Sequence, residues 1–338
     1  MLRLPDPRGE LTDFLLTQLS RPVHPLPEID LAPPADPLGD DDLHLALYLC
    51  YELHYHGLPG VADEWEWEPS LLALRRELEA TFEAALQADV PVPPPPAAPE
   101  EMDLALRAVV EADEGPSLSR HLERDATLEQ VHEFVMHRSA YQLKEADPHS
   151  WVLPRLYGPP KGALVEIQAD EYGNGRPERI HAQLFADTMD ELGLDSRYGA
   201  YVDRLPGVTL ATVNLMSYFG LHRRWRGASV GHLALFEMES SLPNRRYSEA
   251  LRRLGCSARA RGFFDEHVAA DAIHENLAAV DLAGGLARQQ PQLAGDILWG
   301  AATLAELDAR QARHILDAWE DGCSSLRAQN SAALEAEA

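Results

Sequence analysis

Helical periodicity runs through almost all of this 338-residue chain and constrains its fold more than any other feature. Apolar residues recur three and four positions apart, which places them on one side of a helix. The sequence shows no stretch with the apolar–polar alternation of a half-buried strand. We therefore predict an all-α fold. The predicted helices span residues 43–57, 69–88, 101–113, 127–144, 161–172, 178–193, 198–225, 228–239, 245–254, 259–284, 291–298 and 302–320.

Proline marks the main boundary along the chain. Residues 1–40 are rich in proline and acidic side chains, and the run VPVPPPPAAPEE that follows the helix at 69–88 is a stiff polyproline spacer. We interpret residues 1–100 as an N-terminal helical extension that packs on a main domain of residues 101–325.

The chain is strongly acidic, with 55 Asp and Glu residues, 29 Lys and Arg residues and a net charge of −26. Such a field repels nucleic acid and anionic lipid, so we expect neither as a partner. No apolar run approaches the roughly 20 residues of a membrane-spanning helix. Part of the acidic excess is available to ligate cations, although most of it is expected on solvated helix surfaces.

Cysteine usage and the first residues bear on the compartment. Cys50, Cys256 and Cys323 are isolated, without the pairs of a disulfide framework. The start, MLRLPDPRGELTDF, is too polar and too rich in proline for a signal peptide. We expect a cytoplasmic protein.

The sharpest chemical motif is His267-x3-Asp271-x2-His274. On a helix these residues project at 0°, about 40° and about −20°, so the three side chains leave one face within a narrow arc. Imidazole and carboxylate together suit iron, manganese or zinc better than magnesium or calcium. The alternative is a solvent-exposed polar face that happens to carry histidines.

Two further motifs could complete a metal site. Glu178 and His181 lie three positions apart, the spacing of ferritin-like di-metal bundles, although such a pair also arises by chance on surface helices. Asp170 and Glu171 precede a break with two glycines. Acidic residues are poorly placed at the C-terminus of a helix dipole, so this pair indicates a nearby cation.

Other polar positions are less distinctive. Glu145 ends a predicted helix before Asp-Pro and has no ligand signature of its own. Glu52 and His56 share a helix face, whereas His54 points away. We interpret these last three residues as polar groups of the core or neighbours of a site rather than as direct ligands.

Taken together, these stretches resemble the heme-oxygenase-like diiron oxidases and oxygenases, which have the heme oxygenase bundle but bind two irons instead of heme. RSAYQLKEADPH is similar to the segment with the family's first Glu, VEIQADEYGNGRPERIH to its acidic DEYGxG block and second-helix His, and HVAADAIH to its third ligand helix. The resemblance covers residues 130–285 and extends to the predicted helices of residues 43–88. It implies a heme-oxygenase-like helical bundle carrying the N-terminal extension.

The resemblance also implies a set of ligands. Three carboxylates and three imidazoles correspond to the family's metal-binding residues: Glu145, Glu171, His181, His267, Asp271 and His274. Glu178 matches an additional carboxylate of the N-oxygenating branch, which can join the site when metal binds. We therefore predict Glu178 as a seventh ligand and a catalytic residue. An ion pair with the adjacent Arg179 is the alternative.

The implied cofactors are two iron ions, cycling between Fe²⁺ and Fe³⁺, with O2 as co-substrate and an external electron donor such as a reductase. Our first interpretation is N-oxygenation of a small amine or amino-acid-like compound in a biosynthetic pathway. Desaturation or oxidative C–C cleavage of an amino or fatty acid is the alternative. A non-catalytic metal-binding helical scaffold is the alternative from another class. A homodimer is an expectation from the family alone.

The sequence does not identify the substrate. Four arginines are candidates for pairing with a substrate carboxylate, and surface ion pairs are the alternative for all of them. These arginines are Arg223, Arg224, Arg245 and Arg246.

Overall fold

The computed structural model describes residues 3–30, 32–96, 98–112 and 115–328, except for the side chains of residues 270–273. Within these ranges the chain forms α-helices joined by short 3-10 segments and one π-helical segment, Leu277–Ala283, and it forms no strand. The all-α prediction is therefore confirmed. Among the described residues, no helix has both the length and the apolar character needed to cross a bilayer. The α-helices are α1 (Glu10–Leu19), α2 (Asp41–Glu52), α3 (Pro69–Asp89), α4 (Met102–Glu111), α5 (Leu118–Arg124), α6 (Leu128–Gln142), α7 (Asp147–Ser150), α8 (Gly158–Glu171), α9 (His181–Glu191), α10 (Gly207–Leu221), α11 (Arg226–Arg253), α12 (Ala258–Asn276), α13 (Gly284–Gln289) and α14 (Ala294–Glu320).

Buried apolar side chains form three clusters that hold the helices together. One joins α1, α2 and α3 to α10. A second joins α4 and α8 to α11, α14 and the π-helical segment. A third joins α5, α6, α9 and α12 to the second half of α11 and the end of α14. The long helices α11 and α14 thus pack on each other at the centre of the bundle, α5 and α12 pack along α11, and α9 packs on α12.

The N-terminal helices share a hydrophobic cluster with the main bundle. Leu45 and Leu49 on α2 and Phe82 on α3 are fully buried, together with Leu215 and Phe219 on α10. Residues from both sides of position 100 therefore lie in one core. The division into two domains at that position stays a prediction.

Small residues allow α11 and α14 to pack with their backbones in close approach. A Cβ atom added at Gly231 would lie 1.7 Å from the carbonyl oxygen of Ile297, and one added at Gly300 would lie 2.0 Å from that of Ala228. Only glycine fits at these two positions. Since α11 and α14 both line the functional region described below, this contact fixes the position of α11 within it.

Two pairs of predicted helices are single helices in the structure. Residues 228–239 and 245–254 both belong to α11, which continues through Pro243, and residues 291–298 and 302–320 meet within α14. A proline inside a helix removes a backbone hydrogen bond and costs about 3 kcal/mol. The burial of α11 between its neighbours outweighs that cost, which periodicity and proline position alone do not reveal.

Other boundaries also differ from the prediction. The helix predicted over 198–225 begins only at Gly207, because Gly199 adopts a positive φ of 73° and Pro206 precedes the helix. Helices α1 and α5 lie in segments for which we predicted no helix. Both are short, and proline or acidic residues nearby obscure their apolar stripes.

Candidate metal centre

Glu145 lies just beyond the regular end of α6, in a turn held by its neighbours. Helix α6 ends at Gln142, and Ala146 adopts a positive φ of 74°, which is unusual for a residue other than glycine. The side-chain amide of Gln168 on α8 donates a hydrogen bond of 2.8 Å to the carbonyl oxygen of Ala146. Glu145 itself is only 5% exposed. Contacts from other helices, rather than helical geometry, therefore orient its carboxylate.

Glu171 and His181 face each other across a tight turn. Glu171 is the last residue of α8 and His181 the first of α9. Between them the chain reverses through positive φ values at Gly173 and the next two residues. A Cβ atom at Gly173 would lie 2.6 Å from the backbone of Arg179, so the turn requires glycine. This reversal brings Nδ1 of His181 to 2.8 Å from Oε2 of Glu171.

His267 and His274 both project from α12 into the bundle, as their spacing predicts, and both are buried. Nδ1 of His267 lies 2.9 Å from the carbonyl oxygen of Phe263. A carbonyl oxygen only accepts, so Nδ1 carries a proton and Nε2 is the ring atom that can ligate a metal. That Nε2 lies 3.6 Å from Oε1 of Glu145.

A carboxylate that we did not predict lies beside His274. Glu237 on α11 is 4% exposed, and its Oε2 lies 3.4 Å from Nδ1 of His274. Nε2 of the same imidazole lies 3.3 Å from Oδ2 of Asp170. Glu237 had one local signal in the sequence. It occupies the same helical stripe as Val230 and Leu233, where an acidic residue is unusual because that stripe faces the core.

These side chains form two groups whose possible ligand atoms lie within 4.8 Å of one another. The first contains Glu145, Glu171, His181 and His267, and the second contains Glu171, Glu237 and His274. Every member is buried. Glu171 belongs to both groups, so its carboxylate is placed to bridge two adjacent cations.

The hydrogen bonding of these residues favours a bound cation. Oε2 of Glu145, Oε2 of Glu171, Nδ1 of His181 and Nδ1 of His274 are buried and have no hydrogen-bond partner of good geometry among the described residues. Buried polar atoms without partners are costly, and buried carboxylates more so. A metal ion would satisfy these atoms, and the mixture of imidazole and carboxylate suits iron. The residues present therefore fit an iron centre.

The pKa shifts of two histidines in these groups also favour a bound cation. Burial lowers the pKa of His181, but the close contact with the charged carboxylate of Glu171 and the charges of other residues together raise the pKa. Burial likewise lowers the pKa of His274, whereas its contact with the charged carboxylate of Glu237 raises it to about 9. At His274 a proton thus takes the place of a cation beside the carboxylate. Metal binding there would release this proton.

The structure brings five of the predicted ligands together and leaves Glu178 apart from them. The side chain of Asp271 lies outside the described residues. Glu178 is exposed in the 3-10 segment Pro177–Arg179 and belongs to neither group. The neighbouring Arg179 pairs with Glu266 at 2.6 Å rather than with Glu178. Helix α9 begins only at His181, so Glu178 and His181 do not share the helix face that their spacing suggested.

Comparison with known proteins identifies the family of this chain. Residues 132–309, more than half of the chain, match the family of iron-containing redox enzymes. Over 138 residues the chain is 30% identical to the nitrosourea synthase of Streptomyces achromogenes subsp. streptozoticus. That alignment covers 40% of this chain and 29% of the length of the relative. The resemblance stated from the ligand motifs is confirmed, and the chain belongs to the family of iron-containing redox enzymes.

Proposed function

We propose that this protein is a non-heme diiron oxygenase that uses O2 to N-oxygenate a small amine or amino-acid-like substrate. The observation that carries the proposal is the pair of buried ligand groups joined by Glu171. One group is suited to hold one iron ion through Glu145, His181 and His267, and the other a second ion through Glu237 and His274, with the predicted ligand Asp271 on the same helix. Glu171 would bridge the two.

In this proposal Glu237, rather than Glu178, is the additional carboxylate. Glu237 is buried within the second group, whereas Glu178 is exposed and outside both. Three carboxylates, four with Asp271, and three imidazoles give two divalent ions an almost neutral environment. Burial of the six described members of this set keeps bulk water away from the reacting centre.

When bound, two ferrous ions would supply two electrons for the reduction of O2. N-oxygenation of an amine then consumes one O2, two electrons and two protons beyond those of the substrate. It yields a hydroxylamine and water. Each further turnover needs two electrons from an external donor, so a reductase is part of the proposal.

The relative supports chemistry at nitrogen. It is named for the synthesis of a nitrosourea, a compound defined by a nitrogen–nitrogen–oxygen unit. Because the match covers less than a third of that protein, its activity comes to this chain only as support for the proposal. Desaturation or C–C cleavage by the same centre differs in its product, which gains no oxygen on nitrogen.

Anaerobic reconstitution with ferrous iron tests the proposal. We expect about two irons per chain by metal analysis, since the two groups share one bridging carboxylate. Mixing with O2 should consume O2 and produce a transient visible absorption whose decay a suitable amine accelerates. Mass spectrometry should then find one oxygen atom added to the amine.

Two matched variants separate the roles of the acidic residues. Glu237→Gln should lower iron occupancy to about one ion per chain at limiting iron, because it removes a ligand from the smaller group. Glu178→Gln should retain both ions. Iron bound without any consumption of O2 would favour the non-catalytic metal-binding alternative. Retention of both irons in Glu237→Gln and loss of one in Glu178→Gln would reverse the assignment of the additional carboxylate.

A further inference from the structure

A cavity of about 820 Å³ adjoins the metal centre. Glu145 and His267 of the first ligand group form part of its wall, so the cavity opens directly onto the proposed iron site. Its volume lies in the usual range for small-molecule sites, about 300–1,000 Å³. Five aromatic side chains contribute to its lining: Phe134, Phe185, Phe236, Tyr247 and Phe264.

Helix α6 and the turn that follows it contribute polar residues to this cavity. Arg138 and Gln142 lie one turn apart on the same side of α6, Glu145 follows in the turn beyond the helix, and all three line the cavity. Arg138 and the ligand Glu145 therefore belong to the wall of one cavity.

The guanidinium of Arg138 lines this cavity and interacts with the side chain of Tyr247, which also lines it. In the described part of the chain, no carboxylate oxygen lies within the 4.0 Å of a salt bridge with its guanidinium, and its half-buried side chain lies over the ring of Phe134 at 5.6 Å. The other two cavity arginines differ. Arg246 is 3.1 Å from Oγ of Ser119 and 3.8 Å from a carboxylate oxygen of Glu123. Arg120 is exposed at the rim.

We propose that Arg138 binds the carboxylate of the substrate and so selects carboxylate-bearing amines over simple amines. The inference rests on the proposed function, because it takes the cavity beside the ligand groups as the substrate site. A partly desolvated guanidinium without a carboxylate partner gains most from a ligand that offers two oxygens, since the planar fork matches a carboxylate bidentately. Asp308 also lines the cavity, and its negative charge acts on Arg138.

The structure replaces the earlier candidates for this role. Arg223 and Arg245 do not line the cavity, and Arg224 pairs with Glu83 outside it. Arg246 does line the cavity but is already engaged by Ser119. Arg138 remains, because it lines the cavity from α6, the helix that leads into the turn with the predicted ligand Glu145.

Calorimetric titration of the full chain, iron-loaded under anaerobic conditions and also metal-free, tests the proposal. The probes are two pairs that differ only in a carboxylate: L-lysine against cadaverine, and L-arginine against agmatine. Wild-type protein should bind at least one amino acid about tenfold or more tighter than its decarboxylated partner. Arg138→Gln should remove that preference without weakening amine binding.

Two further variants provide the controls. Arg224→Gln, an arginine paired outside the cavity, should leave the preference unchanged. Arg138→Lys keeps the charge without the bidentate fork and should retain part of the preference, about threefold. It also provides a readout if Arg138→Gln does not fold. The absence of any preference in wild type, or a preference that survives both Arg138 substitutions, would overturn the inference.

The iron measurements separate this inference from the proposed function. Failure of the chain to bind iron would refute the diiron proposal. If the metal-free protein nevertheless preferred carboxylate-bearing amines, and lost that preference on Arg138 substitution, the assignment of Arg138 would stand. A preference that appears only with iron and does not respond to Arg138 substitution would place the carboxylate on the metal. That result would refute the assignment of Arg138.

Discussion

The buried ion pair between Glu52 on α2 and Lys144, next to the ligand Glu145, allows a sharp test of how the site is supported. The side chains of Glu52 and Lys144 are 0% and 1% exposed, and Nζ of Lys144 contacts Oε1 of Glu52. The hydroxyl of Tyr198 donates to the other carboxylate oxygen at 2.7 Å. The ammonium group also lies 4.3 Å from the centre of the Tyr55 ring. Both charges are therefore fully removed from water and compensated locally.

We expect Lys144→Met to destabilise the protein by about 3 kcal/mol. Removing one partner of a buried pair leaves an uncompensated charge and costs about 3–5 kcal/mol. The loss should lie at the lower end, because Tyr198 still donates a hydrogen bond to Glu52. The double variant Lys144→Met with Glu52→Gln leaves no buried charge, and we expect its stability within about 1 kcal/mol of wild type.

Urea unfolding followed by far-UV circular dichroism measures these free energies. Iron titration of the folded variants gives a second readout, since Lys144 precedes Glu145 in the turn that positions its carboxylate. Recovery of stability in the double variant without recovery of iron affinity would show that the pair orients Glu145. If Lys144→Met alone cost less than about 1 kcal/mol, or if the double variant were as unstable as the single one, the electrostatic reasoning would be wrong.

Three further predictions concern packing, pH and the ligands. Gly231→Ala should destabilise the protein by about 2 kcal/mol or more, because its Cβ would lie 1.7 Å from the carbonyl oxygen of Ile297. Gly262→Ala in helix α12 is the control: its Cβ would have nothing within 4 Å, so the substitution should stabilise the protein by about 0.5–1 kcal/mol. Urea unfolding measures both free energies. Burial lowers the pKa of His137 to about 3, so below about pH 6.5 the unfolded chain takes up a proton that the native state excludes. The contribution of the neutral His137 to the free energy of unfolding is therefore complete above about pH 6.5, and about 2 kcal/mol of it is lost at pH 5. Unfolding at pH 8 and pH 5 should therefore show a smaller difference for His137→Gln than for wild type, and an unchanged difference would contradict the assignment. His274→Ala should lose one iron and all turnover while retaining the far-UV helical signal, and full activity in this variant would refute the diiron proposal.

The sequence by itself determined the fold class and the residues of each local ligand motif. Helical periodicity depends only on neighbouring residues, and it correctly predicted a helical bundle. The seven-residue separation of His267 and His274 placed both on one face of α12, and both lie buried there. Glu145 had no local signature and entered the prediction through the family resemblance.

Tertiary structure decided which acidic residue completes the second group. The proposed pairing of Glu178 with His181 assumed one continuous helix, but the glycine turn that brings His181 to Glu171 ends α8 and delays the start of α9. Glu178 is left exposed as a result. Glu237 is 30 residues or more from every other member of the two groups, so no spacing rule connects it to them. It joins them because α11 is held against α14 by close glycine contacts.

The substrate cavity is likewise a property of the packed bundle. Arg138 lies one helix turn from Gln142 and two from Glu145, a pattern that many helices share. Only the assembly of α5, α6, α11, α12 and α14 shows that this row faces a cavity and that Arg138 has no salt-bridge partner among the described residues. Periodicity reports which side of a helix is buried. Which charges meet across helices depends on distances between residues remote in the chain, and these are set only when the core is packed.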